Sequence, residues 1–204
     1  MSDQYKTVVG IAESKLEVKK SRFIGLATAV ESQDAIRDFL NLVQQEYPNA
    51  SHYCYAYKIE AGAEIREYAT DAGEPTHSAG PPIFSAIKAA ELSNVACVIV
   101  RYYGGINLGV GGLIRAYGGC ARSCLTNAKI ETRILYQTLR LRVFHNQIGP
   151  VLNLCRRLRG DVLNVEYDEN AIVYLRIRQR ELDTLKANLQ RMAAPIEVSS
   201  IATT

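Results

Sequence analysis

Apolar residues recur along the chain at two different spacings, and the switches between them predict an alternating series of strands and helices. Residues 21–30 read as a strand. Ser32 then offers a helix N-cap and Asp34 an acid for the first turn, where it complements the helix dipole. Ile36, Phe39, Leu40, Val43 and Tyr47 follow at helical spacing until Pro48, which cannot continue a helix. From Ser51 to Glu60 the period is two, with Tyr53, Tyr55, Tyr57 and Ile59 on one face, and a turn at Ala61-Gly62 brings residues 64–70 back as a hairpin.

Residues 71–82 are rich in turn formers, and Pro81 and Pro82 suit the entrance of a helix over residues 83–92. A β-branched run at 94–103 has the pattern of a buried strand, a glycine-laden stretch at 104–112 follows it, and a helix is predicted over 113–126. Residues 131–135 make a last strand or a linker. Beyond them Leu139, Leu141 and Val143 alternate, Pro150 begins a helix that Gly160 closes, and residues 162–167 and 171–177 form a hairpin. A helix at 180–192 and a strand at 196–201 complete the order βαββαβ of the split ferredoxin-like unit. The expectation is an α+β protein of two domains, 1–135 and 136–204.

Composition narrows the class. A chain of 204 residues with 48% hydrophobic and 22% charged residues carries enough apolar material to fold. No run of 18 or so uncharged apolar residues is present, and Met1–Gln4 open neither a basic nor an apolar signal-type stretch, so a cytoplasmic protein with no membrane partner is expected. The five cysteines lack any CxxC pair and lie mostly in apolar runs, which reads as buried reduced thiols. Cys120 and Cys124 are spaced for one helix face, but His52, His77 and His145 have no metal-motif spacing to them; no metal and no cofactor are expected. The net charge is only +3, and the excess lies beyond Gln137, where every cation but Lys186 is Arg, the better fork for phosphate.

Two segments can carry chemistry. Asp71, Gly73, Glu74, Pro75, His77 and Gly80 belong to a stretch whose carboxylates, histidine and hydroxyls could supply an acid/base pair, or whose prolines and glycines could simply fix a rigid turn. The second holds Arg101, Gly104, Gly105, Asn107, Gly109, Gly111, Gly112 and Arg115. Its glycines can turn backbone N–H groups toward an anion ahead of a helix N-terminus, with Arg101 and Arg115 framing it. Alternatively Gly111, Gly112, Gly118 and Gly119 let a helix lie close on a sheet. The loop lacks the lysine and hydroxyl of a P-loop and the downstream acid of a dinucleotide fold. Tyr53, Tyr55 and Tyr57 suit either base stacking or strand packing. Arg156, Arg157 and Arg159, with Arg176, Arg178 and Arg180, could build a basic face.

The segments DAGEPTHSAGPPI and VIVRYYGGINLGVGGLIRAYGG, preceded by KKSRFIG at residues 19–25, resemble the signature of the IMPACT family, and the two-domain layout is similar to its bacterial members of YigZ type. The resemblance implies a first domain with the left-handed βαβ fold of ribosomal protein S-five domain two, and a second like a ferredoxin-like module of elongation factor G. Eukaryotic relatives regulate translation in a pathway controlling an initiation-factor kinase and carry an additional N-terminal RWD domain, which this sequence does not show. What the resemblance implies here is a translation-linked binding protein contacting RNA, the ribosome or a translation factor through the glycine-rich loop. The rival expectation is a small-molecule enzyme, a phosphotransferase or hydrolase, using residues 71–80 and the same loop.

Overall fold

The computed structural model describes residues 3–61, 64–192 and 195–201; the predicted turn at Gly62 lies outside them. The chain forms an α+β protein of two compact units. One is Lys6–Arg133; the other joins the start of the chain, through Tyr5, to everything from Ile134 onward.

The first unit is built on an antiparallel sheet of five strands, β2 (Ile11–Val18), β3 (Ser21–Ala29), β4 (His52–Ala61), β5 (Glu64–Thr70) and β6 (Val95–Tyr102), ordered β2-β3-β6-β4-β5. β6 lies at the centre and is buried on both faces, which is why its sequence is apolar without alternation. Cys97 and Ile99 face one apolar layer with α2 (Gly80–Ala89) and α3 (Val110–Asn127); Ala96, Val98 and Val100 face the other with α1 (Gln33–Glu46). Ser32 caps α1 as predicted, its hydroxyl accepting from Ala35 N at 3.1 Å. Tyr53, Tyr55 and Tyr57 pack half-buried against the α1 layer, and Tyr57 stacks on Tyr68 with centroids 5.5 Å apart.

Two strands escape the periodicity reading. β1 (Gln4–Val8) pairs with β7 (Ile130–Ile134), and β2 turns Ala12, Ser14 and Leu16 inward. Because two of those three are small or polar, the inward face carries little hydrophobic signal. The close approach of α3 to the sheet also has a different origin from the one expected. The permissive glycine is Gly25 of β3, where a Cβ would stand 3.0 Å from Ile99 Cδ1 and 3.1 Å from Cys120 Sγ. Of the four helix glycines, only Gly118 meets a neighbouring helix at short range, with Pro82 of α2 3.5 Å from where its Cβ would sit.

In the second unit β8 (Tyr136–Val143), α4 (Ile148–Arg157), β9 (Asp161–Tyr167), β10 (Ala171–Arg178), α5 (Leu182–Gln190) and β11 (Glu197–Ile201) form an antiparallel sheet ordered β11-β8-β10-β9. The alternating residues Leu139, Leu141, Val143, Val173, Leu175 and Ile177 share a core with Val151, Leu154, Leu185 and Leu189 of the helices. Asp3 joins this unit: its carboxylate, almost fully buried, accepts from Arg178 Nε at 2.7 Å and Nη2 at 3.1 Å.

Candidate functional site: a cleft at the start of helix α3

The segment after β5 is folded by one side chain. Asp71 Oδ1 accepts from the backbone N–H groups of Ala79 and Gly80, both at 2.8 Å, and Oδ2 from that of His77 at 2.7 Å. Burial alone would raise the Asp71 carboxyl, but these three donors outweigh it and hold it below the usual carboxylate range. Asp71 thereby caps α2 from eight residues upstream, and Gly80 rests against the Thr70 backbone so closely that a Cβ would stand 2.6 Å from Thr70 N. His77 is exposed and takes a left-handed φ of 61°. These residues shape the loop.

Glu74 is thereby turned inward. Its Oε1 accepts from Arg101 Nη1 at 2.6 Å and from the Tyr117 hydroxyl at 2.7 Å. Burial, the neighbouring Cys54 thiol and Glu74 itself hold the Tyr117 phenol far above its ordinary pKa, so it remains a donor. The Arg101 guanidinium lies between the rings of Phe23 and Tyr103, 5.4 and 5.3 Å from their centroids, and Nη2 reaches Ser21 Oγ at 3.4 Å. Its Nε is buried without a hydrogen-bond partner among the described residues. His52 stands opposite Arg101 in the β4–β6 register; its Nδ1 is 2.9 Å from the Ala72 carbonyl and its Nε2 is 3.9 Å from Glu74 Oε1. A carbonyl only accepts, so Nδ1 carries the proton.

These groups open onto a cleft of about 530 Å³ whose other walls are Pro75, Tyr103, Asn107, Leu108, Gly109, Val110 and Leu113. Gly109, at φ 70°, is the N-cap of α3 and offers no side-chain cap; Leu113 N begins the helical ladder on the Gly109 carbonyl. The N–H groups of Val110, Gly111 and Gly112 therefore have no partner within the helix, at the positive end of its dipole.

The two segments singled out in the sequence thus meet. Glu74, Pro75, Arg101, Asn107 and Gly109 line the cleft, and Gly111 and Gly112 form the first turn of α3. Gly104 serves elsewhere: its N–H donates to Ser21 Oγ at 3.1 Å, and its Cα passes so close to the Lys20 carbonyl that any Cβ would overlap it. Gly105 makes an exposed turn at φ 80°, and Gly73, at φ 89°, runs beside the His52 ring. Arg115 is exposed on α3 and does not line the cleft, but its Nη1 lies 3.6 Å from where a Gly111 Cβ would stand, beside the first turn of the helix. The second unit's basic face is also reduced: Arg176 pairs with Asp161, Arg178 with Asp3, and Arg180 with Glu181 and Asp3. His52, Tyr117 and Ser21 also belong to the site; Ser21 and Tyr117 fall inside the quoted motifs without a role assigned to them, and His52 lies outside the two candidate segments. The cross-strand position of His52 beside Arg101 was the available signal.

Among the described residues no three His, Cys, Asp or Glu side chains are placed to hold a metal ion, and no helix is long and apolar enough to cross a membrane.

A glycine-bearing helix start and a buried Arg–Glu pair meet at one cleft in the first of two α+β units. Residues 19–125 match the Impact N-terminal domain and residues 141–194 a domain of unknown function (DUF1949). The chain is 33% identical over 174 residues to an IMPACT family member of Haemophilus influenzae, covering 85% of this chain and 84% of that one. It is 32% identical over 162 residues to the IMPACT family member YigZ of Escherichia coli, covering 79% and 78%. A crystal structure of a hypothetical protein aligns with a TM-score of 0.73 at 26% identity over 100% of this chain and 99% of that one. The chain belongs to the IMPACT family, with members of YigZ type among its relatives.

Proposed function

We propose that this protein is a translation-linked regulatory factor that binds RNA, with a backbone phosphate held at the start of α3. Family membership suggests a translation-related regulatory role. The observation that carries the RNA reading is the convergence of both glycine-rich segments on one cleft, where three helix N–H groups are free of helical partners. The candidate contacts are Arg101, Asn107, Gly109, Gly111 and Gly112, with Asp71, Gly73, Glu74, Pro75, His77 and Gly80 holding the cleft in shape. We place its action in the cytoplasm. We take the first domain, 1–135, as like domain two of ribosomal protein S-five with a left-handed βαβ crossover, and 136–204 as a ferredoxin-like module similar to one of elongation factor G. The strand order β11-β8-β10-β9 supports the latter.

The test is sedimentation with ribosomes from cell lysate at low and high salt. Binding through phosphates weakens steeply with salt. Val110→Pro removes one N–H at a position where proline is tolerated, the first residue of a helix, and should release the protein from the ribosomal fraction. A protein that stays at the top of the gradient at every salt concentration would overturn the reading. Salt-insensitive co-sedimentation would assign the partner to a protein factor instead.

A second reading, a small-molecule hydrolase or phosphotransferase, is favoured by one observation. His52, oriented by the Ala72 carbonyl, presents Nε2 beside Glu74 on the cleft wall, where a base would stand.

A further inference from the structure

We infer that the cleft is a pocket for one nucleotide, with the phosphate against the start of α3 and the base on Tyr103; the inference rests on the phosphate-binding reading above and names the ligand unit. The volume, about 530 Å³, lies within the range of small-molecule sites. The lining divides into two ends. Tyr103, Leu108, Val110 and Leu113 make an apolar side, and Tyr103 and Val110 remain 47% and 51% exposed, so this surface is open to a ligand. The other end holds the start of α3 at Gly109 and Val110, with Gly111 and Gly112 following in the same turn, together with His52 Nε2 and Arg101.

Charge decides what suits the polar end. Arg101 and Glu74 cancel each other, so the attraction for an anion comes from the α3 terminus. The orphaned Arg101 Nε is a further donor, in a side chain only 6% exposed on the cleft wall. A buried donor without a partner is uncommon; Nε is closed to the cleft in this structure, and a ligand oxygen reaches it once the Arg101 side chain shifts. A flat ring with an anionic end matches this division better than inorganic phosphate, which leaves the apolar side unused, or a nucleoside, which leaves the N–H groups unused. One face of the Tyr103 ring lies against Arg101, and its hydroxyl donates to Asn107 Oδ1 at 3.0 Å, fixing the ring as a stacking surface. Asn107 keeps its amide N–H groups for the edge of a base.

The nucleotide can be free or can be one unit of an RNA strand, and calorimetric titration of the full chain separates the two. The probes are adenosine 5′-monophosphate, guanosine 5′-monophosphate, adenosine, inorganic phosphate and a short oligoribonucleotide. At least one monophosphate should bind about tenfold or more tightly than adenosine and inorganic phosphate, and Tyr103→Ala should lower its affinity by about tenfold, the scale of one base–aromatic stack. Val110→Pro should weaken the monophosphate by a larger factor than adenosine, because it removes an N–H from the phosphate end while keeping an apolar side chain at that position. No binding of either monophosphate at millimolar concentration, or equal binding by Tyr103→Ala, would overturn the inference. Salt-sensitive oligonucleotide binding without monophosphate binding would sink the pocket and leave the RNA reading standing. Monophosphate binding without oligonucleotide binding would do the reverse.

Discussion

Glu74 and Arg101, 27 positions apart in the chain, meet through a 2.6 Å hydrogen bond between side chains that are only 3% and 6% exposed. One comes from the proline-rich turn and the other from the end of the central strand, so this pair ties the two motifs together. Removing one partner strands the other. Glu74→Ala should destabilise the first unit by about 3–5 kcal/mol, the range for an orphaned buried charge, read as a lowered midpoint in urea unfolding. Arg101→Met with Glu74→Leu should lose less than either single truncation, because no charge is then left buried.

Asp71 ties the same loop to α2 through three backbone N–H groups. Asp71→Ala should destabilise by about 1–2 kcal/mol, as loss of a helix cap does. The pH dependence has a definite sign. The folded carboxyl titrates below its unfolded value, so its stabilisation is complete above the unfolded pKa, about 3.9, and disappears as the pH falls through the lower folded value. Thermal melts across acid pH should therefore show a shallower loss for Asp71→Asn than for the parent, starting from a lower melting temperature.

Glycines of the same motif should respond with opposite signs. Gly104→Ala forces a methyl into the Lys20–Ser21 backbone and should destabilise by about 1–3 kcal/mol, the scale of overpacking. Gly119→Ala places its methyl at ordinary contact distance from Leu16, in the interior of α3, and should stabilise by about 0.5–1 kcal/mol. Melting temperatures of the two variants measured side by side check the pair.

All five cysteines are buried, and burial pushes the Cys54 thiol up to about 12 and that of Cys120 to about 11. A thiol-specific reagent at pH 8 should label almost none of them in the folded chain and all five in denaturant. Rapid labelling of one thiol before denaturation would show that its apolar layer opens locally.

The sequence was informative wherever a periodic apolar face met a punctuation residue. Ser32, Pro48 and the Pro81-Pro82 entrance marked real helix ends, and Leu139, Leu141 and Val143 marked a real core strand. β2 was hidden because its inward face includes Ala12 and Ser14, small enough to fit beneath α3. At the cleft, the motifs disclosed which segments mattered but not the division of labour within them. Asp71 and Glu74 look alike in sequence; one caps a helix and the other pairs with arginine, and only the three-dimensional path separates them. Local spacing carries no information about His52, and the motif that contains Tyr117 does not disclose that its hydroxyl reaches Glu74 from another element.

Asp3 has its partner, Arg178, 175 residues further along. During synthesis the first unit can assemble as soon as Arg133 is available, while the Asp3 carboxylate must wait for Arg178. The Asp3 carboxylate thus finds its partner late, long after its backbone can pair with Leu135, and closing so long a separation is entropically slow. The second unit should acquire its full resistance to proteolysis only once Arg178 has reached Asp3, and an excised copy of the first unit is best begun at Lys6.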